Sequence, residues 1–205
     1  MCGAVTLRLR PLPPILTHVV HAALQVCDNT EYFWEGACRS CGGKLSGYDT
    51  RSKRFAILRD EEGDHTISVI IYREYCLACG RIWSPDGPFY AGTRIGSPIV
   101  DLCRALSLTN TFGQVATRLG QMGVVVDRWS VRSYCRVPFI QPLTVTAFGM
   151  NIPVSVISLS SLAGTLGDGG QASGEDVLAA CFYPSRNLSD GTGLQGKNRD
   201  PDPVQ

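Results

Sequence analysis

The chain has 205 residues, and its 19 Lys and Arg nearly balance its 18 Asp and Glu, leaving a formal net charge of +1. This balance excludes a uniformly basic protein, and the length suits one large domain or two small ones. No apolar run approaches the ~20 residues of a membrane-spanning helix, so we expect no membrane partner and a cytoplasmic location.

The first element predicted along the chain is a short helix. Prolines interrupt the apolar N-terminal stretch and histidines break it further, which argues against a signal peptide. The residues after those prolines predict an amphipathic helix from about 15 to 26. We therefore interpret residues 1–35 as an N-terminal helical lead-in.

Two cysteine motifs follow the lead-in. The chain has nine cysteines, an odd number that a secreted disulfide framework would not use. Four of them form two C-x-x-C-G motifs, Cys38 with Cys41 and Cys76 with Cys79. Two residues between thiolates let one tight turn point both sulfurs at one ion, and the glycine that follows permits the positive φ of that turn. The four cysteines are therefore predicted to hold a structural Zn²⁺ in a closed tetrahedral shell, with iron in a rubredoxin-like site as the alternative.

The segment between the two motifs predicts a small antiparallel sheet. The runs KRFAILRD and HTISVIIYREYC are rich in β-branched and aromatic residues, and the polar turn DEEGDH separates them. Two cysteine motifs that lead into and out of a hairpin are the layout of a zinc ribbon, which we predict over residues 36–92. The basic residues of its first strand are candidate phosphate contacts: Arg51, Lys53 and Arg54.

Three short amphipathic helices are predicted next, over residues 93–137. The first has Ser97 as its expected N-cap and Pro98 at its first helical position. The second is capped by Thr111 and ends at glycines, and the third is capped by Asp127. The second and third helices, with their Gly-containing turn, predict a helix-turn-helix. A helical bundle without a ligand is the alternative, because amphipathicity alone does not separate the two.

The distribution of charge favours nucleic acid as the ligand of the third helix. Residues 97–136 carry five basic side chains against two acidic ones, 5 − 2 = +3, whereas residues 137–205 carry three against six, 3 − 6 = −3. In a helix-turn-helix protein the last helix enters the major groove with its N-terminal residues leading. The candidate DNA-contacting residues on this helix are Arg128, Trp129, Ser130, Arg132, Ser133 and Arg136.

These segments together resemble a known family. A four-cysteine ribbon followed by PFYAGTRIGSPIVDLCRAL and a trihelical unit ending in VDRWSVRSYCR is similar to the N-terminal region of prokaryotic, particularly archaeal, insertion-sequence transposases, over roughly residues 36–137. The resemblance implies that this region binds the terminal inverted repeats of the element, and that an RNase H-like domain follows it, with three carboxylates holding two Mg²⁺. By position, the resemblance assigns metal binding to Cys38, Cys41, Cys76 and Cys79, and DNA recognition to Arg128, Ser130, Arg132 and Ser133.

The remaining residues do not supply the catalytic set of that family. Only 205 − 136 = 69 residues follow Arg136, which is too few for an RNase H-like domain. Residues 138–185 are predicted as a short hairpin, over 143–161, and a helix, and they are a candidate remnant of a catalytic domain. Glu175 and Asp176 are interpreted as first-turn helix acids under a Ser173 cap. The polar tail 186–205 is predicted to be disordered.

The sequence thus predicts an α+β protein in which a zinc ribbon precedes a helix-turn-helix unit and a poorly determined C-terminal segment. We interpret it as a DNA-binding protein that is transposase-like, lacks the nuclease and is not an enzyme. A transcriptional regulator with the same modules and a zinc-ribbon adaptor that binds protein are the alternatives. The expected partners are double-stranded DNA and, as a further candidate, a second copy of the chain.

Overall fold

The computed structural model describes residues 12–136, 141–167 and 170–182. The predicted tail 186–205 lies outside these residues. The described helices are α1 (Pro14–Gln25), α2 (Ser97–Ser107), α3 (Phe112–Gln121), α4 (Arg128–Arg136), α5 (Val154–Leu166) and α6 (Gly174–Ala180). The described strands are β1 (Glu31–Tyr32), β2 (Leu45–Arg59), β3 (Asp64–Cys76), β4 (Ile82–Trp83), β5 (Thr144–Ala147) and β6 (Met150–Pro153). The predicted α+β class is confirmed.

The long hairpin β2–β3 is the centre of a mixed sheet. Its two strands pair antiparallel from Leu45 opposite Cys76 to Arg59 opposite Asp64. The hairpin predicted between the cysteine motifs is therefore confirmed, and its first strand begins earlier than the apolar pattern indicated. Strand β1 pairs with β3 in parallel, and β4 pairs with β3 antiparallel. One end of the hairpin lies at the cysteine motifs, and the middle and far end of its strands contribute to the core.

The core extends from the sheet to the helices before and after it. Helix α1 confirms the predicted lead-in helix and buries one apolar face, including Leu16, Val20 and Leu24. Helix α5 packs along α1 and adds Val156 and Leu159 to the same hydrophobic cluster. The C-terminal segment therefore contributes to the core that the lead-in, the sheet and helices α2, α3 and α4 share.

The hairpin predicted over residues 143–161 is wrong in its second half. Strands β5 and β6 pair from Thr144 opposite Pro153, and the chain then continues as helix α5. The run VSVIS is rich in β-branched residues, which favour a strand. However, Val156 and Leu159 are both buried, and their spacing of three residues places them on one face of a helix. Tertiary packing therefore outweighs the local strand propensity. Helix α6 begins at Gly174, and the side chain of Ser173 forms the predicted N-cap.

The predicted N-cap of α2 is also wrong. Gly96 is the cap residue, and no side chain caps the first turn. A Cβ atom at residue 96 would lie 2.2 Å from the ring of Phe55, which is fully buried on β2. The helix can begin this close to the sheet only because residue 96 is glycine.

Helix α2 is buried on all sides, not on one face as its apolar pattern predicted. Every residue from Ser97 to Leu106 is buried. The buried carboxylate of Asp101 accepts hydrogen bonds from the Tyr90 hydroxyl at 2.7 Å and from the Ser155 hydroxyl at 2.9 Å. This network joins α2 to the first turn of α5 and to the loop before α2.

Helices α2, α3 and α4 pack against one another, and their last connection lies on the sheet. The predicted cap of α3 is confirmed, because Thr111 and Gln114 form a reciprocal capping box. Between α3 and α4, the Arg59 N–H donates to the Gly123 carbonyl at 2.7 Å and the Val125 N–H donates to a carbonyl of β2. The position of α4 is therefore fixed by the hairpin as well as by α2 and α3.

Candidate metal centre and basic helix

Four cysteine sulfurs converge at the end of the β2–β3 hairpin. The Sγ atoms of Cys38, Cys41, Cys76 and Cys79 all lie within 4.8 Å of one another. Cys38 lies 3.7 Å from Cys79, and Cys41 lies 3.5 Å from Cys76, measured between sulfurs. Four sulfurs at tetrahedral corners, about 2.3 Å from one ion, lie about 3.8 Å from one another. The cluster therefore has the size and the donor set that one thiolate-bound metal ion requires.

The two motifs share one backbone conformation. The N–H of Gly42 donates to the carbonyl of Cys38 at 2.8 Å, and the N–H of Gly80 donates to the carbonyl of Cys76 at 2.9 Å. Both glycines have left-handed backbones, with φ of 72° and 70°, as the sequence motif predicts. The sheet register brings the motifs together because β2 begins just after the first motif and β3 ends at the second.

Local hydrogen bonds favour the thiolate form of two of the four cysteines. Burial opposes ionisation of Cys38, but backbone and thiol donors within the cluster lower its pKa to about 6. The backbone N–H of Cys79 is the main group that lowers the pKa of Cys76. The N–H of Gly43 acts in the same direction on Cys41, but the sulfurs of the second motif raise its pKa to about 12. Crowded sulfurs that share protons in this way release them when a divalent cation binds.

Two further residues support the cluster, and the sequence motifs did not identify them. The indole Nε1–H of Trp83 donates to the Cys38 sulfur at 3.2 Å. A Cβ atom at Gly43 would lie 3.2 Å from the sulfurs of both Cys41 and Cys76 and 2.8 Å from the Cβ of Ala78. The second glycine of CRSCGGK and the tryptophan seven residues after Cys76 are the sequence signals for these roles.

The other described cysteines lie apart from this cluster. Cys27, Cys103 and Cys181 are buried in the core, and Cys135 is half-buried on α4. Burial raises the pKa of the Cys27 and Cys103 thiols. Protonated thiols in apolar surroundings act as small core residues, not as metal ligands.

Helix α4 begins at the side-chain cap that the sequence predicted. Asp127 Oδ1 accepts hydrogen bonds from the backbone N–H of Trp129 at 2.8 Å and of Ser130 at 3.0 Å. Its Oδ2 accepts from the Ser130 hydroxyl at 2.6 Å, and these bonds hold the pKa of Asp127 below its usual value. Val131 is buried in the core on the opposite side of the helix. The cap and the core together fix the direction in which the remaining α4 side chains project.

The candidate DNA-contacting side chains occupy the outer surface of α4. Ser130 and Arg132 are half-buried, and the exposed members are Arg128, Trp129, Ser133 and Arg136. Within the described residues, no ion pair joins an α4 arginine to a carboxylate. The helix therefore presents three guanidinium charges that carboxylates of the described chain do not neutralise.

The arginines of the hairpin are arranged differently. Arg51 and Arg73 both contact the carboxylate of Asp49, and Arg59 forms a two-point pair with Asp64 at 2.6 and 2.9 Å. Hydrogen bonds from Arg73 are the main cause of the lowered pKa of Asp49. Three of the four arginines on the hairpin strands thus have a carboxylate partner on the hairpin itself.

Of the three basic residues predicted on β2 as phosphate contacts, Arg54 is the best placed. The Nζ atom of Lys53 lies 3.5 Å from the centroid of the Phe89 ring, and burial lowers the pKa of this lysine. Arg54 is exposed and has no ion pair among the described residues. Burial raises the pKa of Tyr134 on α4, and the nearby charge of Arg54 opposes that rise. The charge of Arg54 therefore acts on a residue of α4.

No protein-family model, curated protein or solved structure matches this chain. The resemblance to insertion-sequence transposases stays a prediction. Every helix in the part of the chain that the structure describes is too short or too polar to cross a membrane.

Proposed function

We propose that this chain is a zinc-stabilised DNA-binding protein that contacts duplex DNA with helix α4. The main support is the difference between two sets of arginines. Those of α4 have no carboxylate partner among the described residues, whereas three of the four on the hairpin strands do. Unneutralised guanidinium groups on one helix are what phosphate and base-edge contacts require.

The four-cysteine cluster supplies the zinc site of this proposal. Zn²⁺ suits four thiolates because it is tetrahedral, has no redox chemistry and binds sulfur tightly. Iron accepts the same ligands and remains the alternative ion. Four protein sulfurs leave no open coordination position, so we assign the metal a structural role. The metal would link the two cysteine motifs at the end of the hairpin that lies away from its turn. The side chains of Cys41 and Cys79 are exposed there, so apolar packing contributes little.

Helices α3 and α4 would act as a helix-turn-helix, with α4 in the major groove. This arrangement is supported by the mutual packing of α2, α3 and α4, and by the Asp127 cap that fixes the leading turn of α4. Arg128 and Arg132 would contact bases or phosphates, and Arg54 would add a phosphate contact from the sheet. The proposal includes the interpretation of the chain as transposase-like, with the DNA-binding region of insertion-sequence transposases but without their nuclease domain.

Two charge-matched double variants test the proposal. We expect R128Q/R132Q to lower affinity for random duplex DNA about tenfold or more at ~50 mM salt, because each lost phosphate contact removes its share of the counterion release that drives non-specific binding. The control R59Q/R73Q removes the same charge from two hairpin arginines that each form a two-point pair with a carboxylate, Arg59 with Asp64 and Arg73 with Asp49, and should change affinity little. Equal effects of the two variants, or no duplex binding by the parent chain at ~50 mM salt, would overturn the proposal.

The same measurements separate the alternatives. A chain that binds no DNA but whose α4 variants lose a protein partner would be the zinc-ribbon adaptor. A transcriptional regulator and a transposase-like protein both bind duplex DNA, and selection of bound sequences from a random pool distinguishes a promoter-like site from an inverted repeat.

A further inference from the structure

Trp129 is the most exposed of the large hydrophobic side chains in the described residues. It is 67% exposed and is the second residue of α4. The other two tryptophans are half-buried, and each uses its indole N–H: Trp34 donates to the Ala37 carbonyl and Trp83 donates to the Cys38 sulfur. Partial burial and an indole hydrogen bond therefore account for the other two tryptophans but not for Trp129.

Two arginines flank this indole ring. The guanidinium carbon of Arg128 lies 5.6 Å from the ring centroid and that of Arg132 lies 5.8 Å from it. Both distances are within the range of cation–π attraction, which holds the charges beside the ring. The cluster of Arg128, Trp129 and Arg132, here called the Arg-Trp-Arg cluster, combines one exposed aromatic ring with two cations.

We propose that the Arg-Trp-Arg cluster binds an unpaired DNA base by stacking it on Trp129. The preferred ligand is then duplex DNA that contains an unstacked base, not a perfect duplex. This inference rests on the proposed DNA-binding function and specifies the ligand of the same helix.

The chemistry of the two partners leads to this ligand. In an intact duplex the faces of the bases are covered by their neighbours, and the grooves offer a protein only the base edges. An indole face can stack only on a base that has left the helix. Stacking of a base on an aromatic side chain is worth about 5- to 150-fold in affinity and tolerates every base.

The two guanidinium groups complete the site. Asp127 already occupies the backbone N–H groups of Trp129 and Ser130, so these donors at the start of α4 are not available to a phosphate. The phosphates on either side of a displaced base would therefore be contacted by Arg128 and Arg132. Charge complementarity and the exposed ring thus point to one ligand, an unpaired nucleotide with its flanking backbone.

The test uses the full-length zinc-loaded chain and three DNAs of one sequence: a perfect duplex, the same duplex with one unpaired 2-aminopurine, and the single strand that contains that base. Affinity is measured by fluorescence anisotropy, and stacking by quenching of the 2-aminopurine fluorescence. We expect the parent chain to bind the unpaired site at least about fivefold more tightly than the perfect duplex, and to quench its fluorescence.

The variant W129A should lose this preference and the quenching, so that it binds the unpaired duplex no more tightly than the perfect duplex. The control F33A removes another exposed aromatic ring, 58% exposed and outside α4, and should behave like the parent chain. Zinc stoichiometry and circular dichroism check that both variants fold, which is expected because both side chains are largely exposed.

The outcomes separate this inference from the function on which it rests. Equal binding of the parent chain to the perfect and the unpaired duplex overturns the inference and leaves the proposed function standing. A W129A variant that weakens binding to all three DNAs equally also overturns it, because Trp129 then contacts intact duplex. If the parent chain binds none of the DNAs, both proposals fail.

Discussion

Replacing Trp83 with phenylalanine removes one hydrogen bond to the metal cluster while keeping an aromatic ring on β4. In the parent chain the indole Nε1–H donates to the Cys38 sulfur at 3.2 Å, and the pKa of that thiol is lowered to about 6. Phenylalanine has no N–H, so the sulfur loses a donor that stabilises its negative charge. We therefore expect W83F to bind zinc more weakly than the parent chain does.

The size of the effect follows from the type of hydrogen bond. A hydrogen bond to a charged group contributes about 1.5–3 kcal/mol, and loss of a residue that supports a metal ligand costs about 10- to 100-fold in metal affinity. Trp83 is half-buried, and water can partly replace its N–H. The lower end of the range, about tenfold or ~1.4 kcal/mol, is therefore the expected value.

Competition between the protein and a zinc chelator at pH 7 measures this affinity. The matched control is W34F, because the Trp34 indole N–H donates to the Ala37 carbonyl at 3.3 Å and not to a sulfur. The control should bind zinc as the parent chain does. Unchanged affinity in W83F, or an equal loss in W34F, would refute the assigned role of the Trp83 hydrogen bond.

Three other substitutions test separate parts of the structure. The variant G43A should weaken zinc binding in the same competition, because the added Cβ atom crowds two ligand sulfurs. The control G47A should bind zinc as the parent chain does, because a Cβ atom at residue 47 has no neighbouring atom within 4 Å. Ser155→Ala removes a buried hydroxyl that donates to Asp101, and it should lower the free energy of unfolding in urea by ~1–3 kcal/mol. An unchanged urea midpoint would contradict a stabilising role of this hydrogen bond. Asp127→Ala should cost ~1 kcal/mol at neutral pH. Because the folded pKa of Asp127 is lowered, this difference should be present above about pH 4 and disappear as the pH falls through that lowered value; a pH-independent difference would contradict it.

The features that depend on neighbouring residues were predictable from the sequence. The C-x-x-C-G spacing defines each cysteine turn locally, and two apolar strands around a polar turn define the hairpin that joins the turns. The caps at Thr111, Asp127 and Ser173 are also local, because each side chain accepts a hydrogen bond from a backbone N–H two or three residues later. For this reason the ligand cluster and the starts of three helices are where the sequence placed them.

The features that depend on distant residues were not predictable. Gly96 replaces Ser97 as the cap of α2 because the Phe55 ring lies against it, and no local pattern reports that contact. Asp101 accepts a hydrogen bond in the core from Ser155, 54 residues later, and no local pattern predicts that pairing. The Trp83 hydrogen bond likewise needs the sheet register that brings β4 beside the cysteines. The strand predicted for the first residues of α5 is wrong because the burial of this helix against α1 is a tertiary effect.

The salt dependence of duplex binding by the zinc-loaded chain tests the central claim most directly. For B-DNA, the slope of log affinity against log salt is about −0.9 for each phosphate contact. We predict a negative slope that R128Q/R132Q makes shallower by about 2 and that R59Q/R73Q leaves unchanged, because Asp64 and Asp49 each form a two-point pair with one of these hairpin arginines. Affinity that does not depend on salt, or a slope that both variants change equally, would contradict DNA binding through α4.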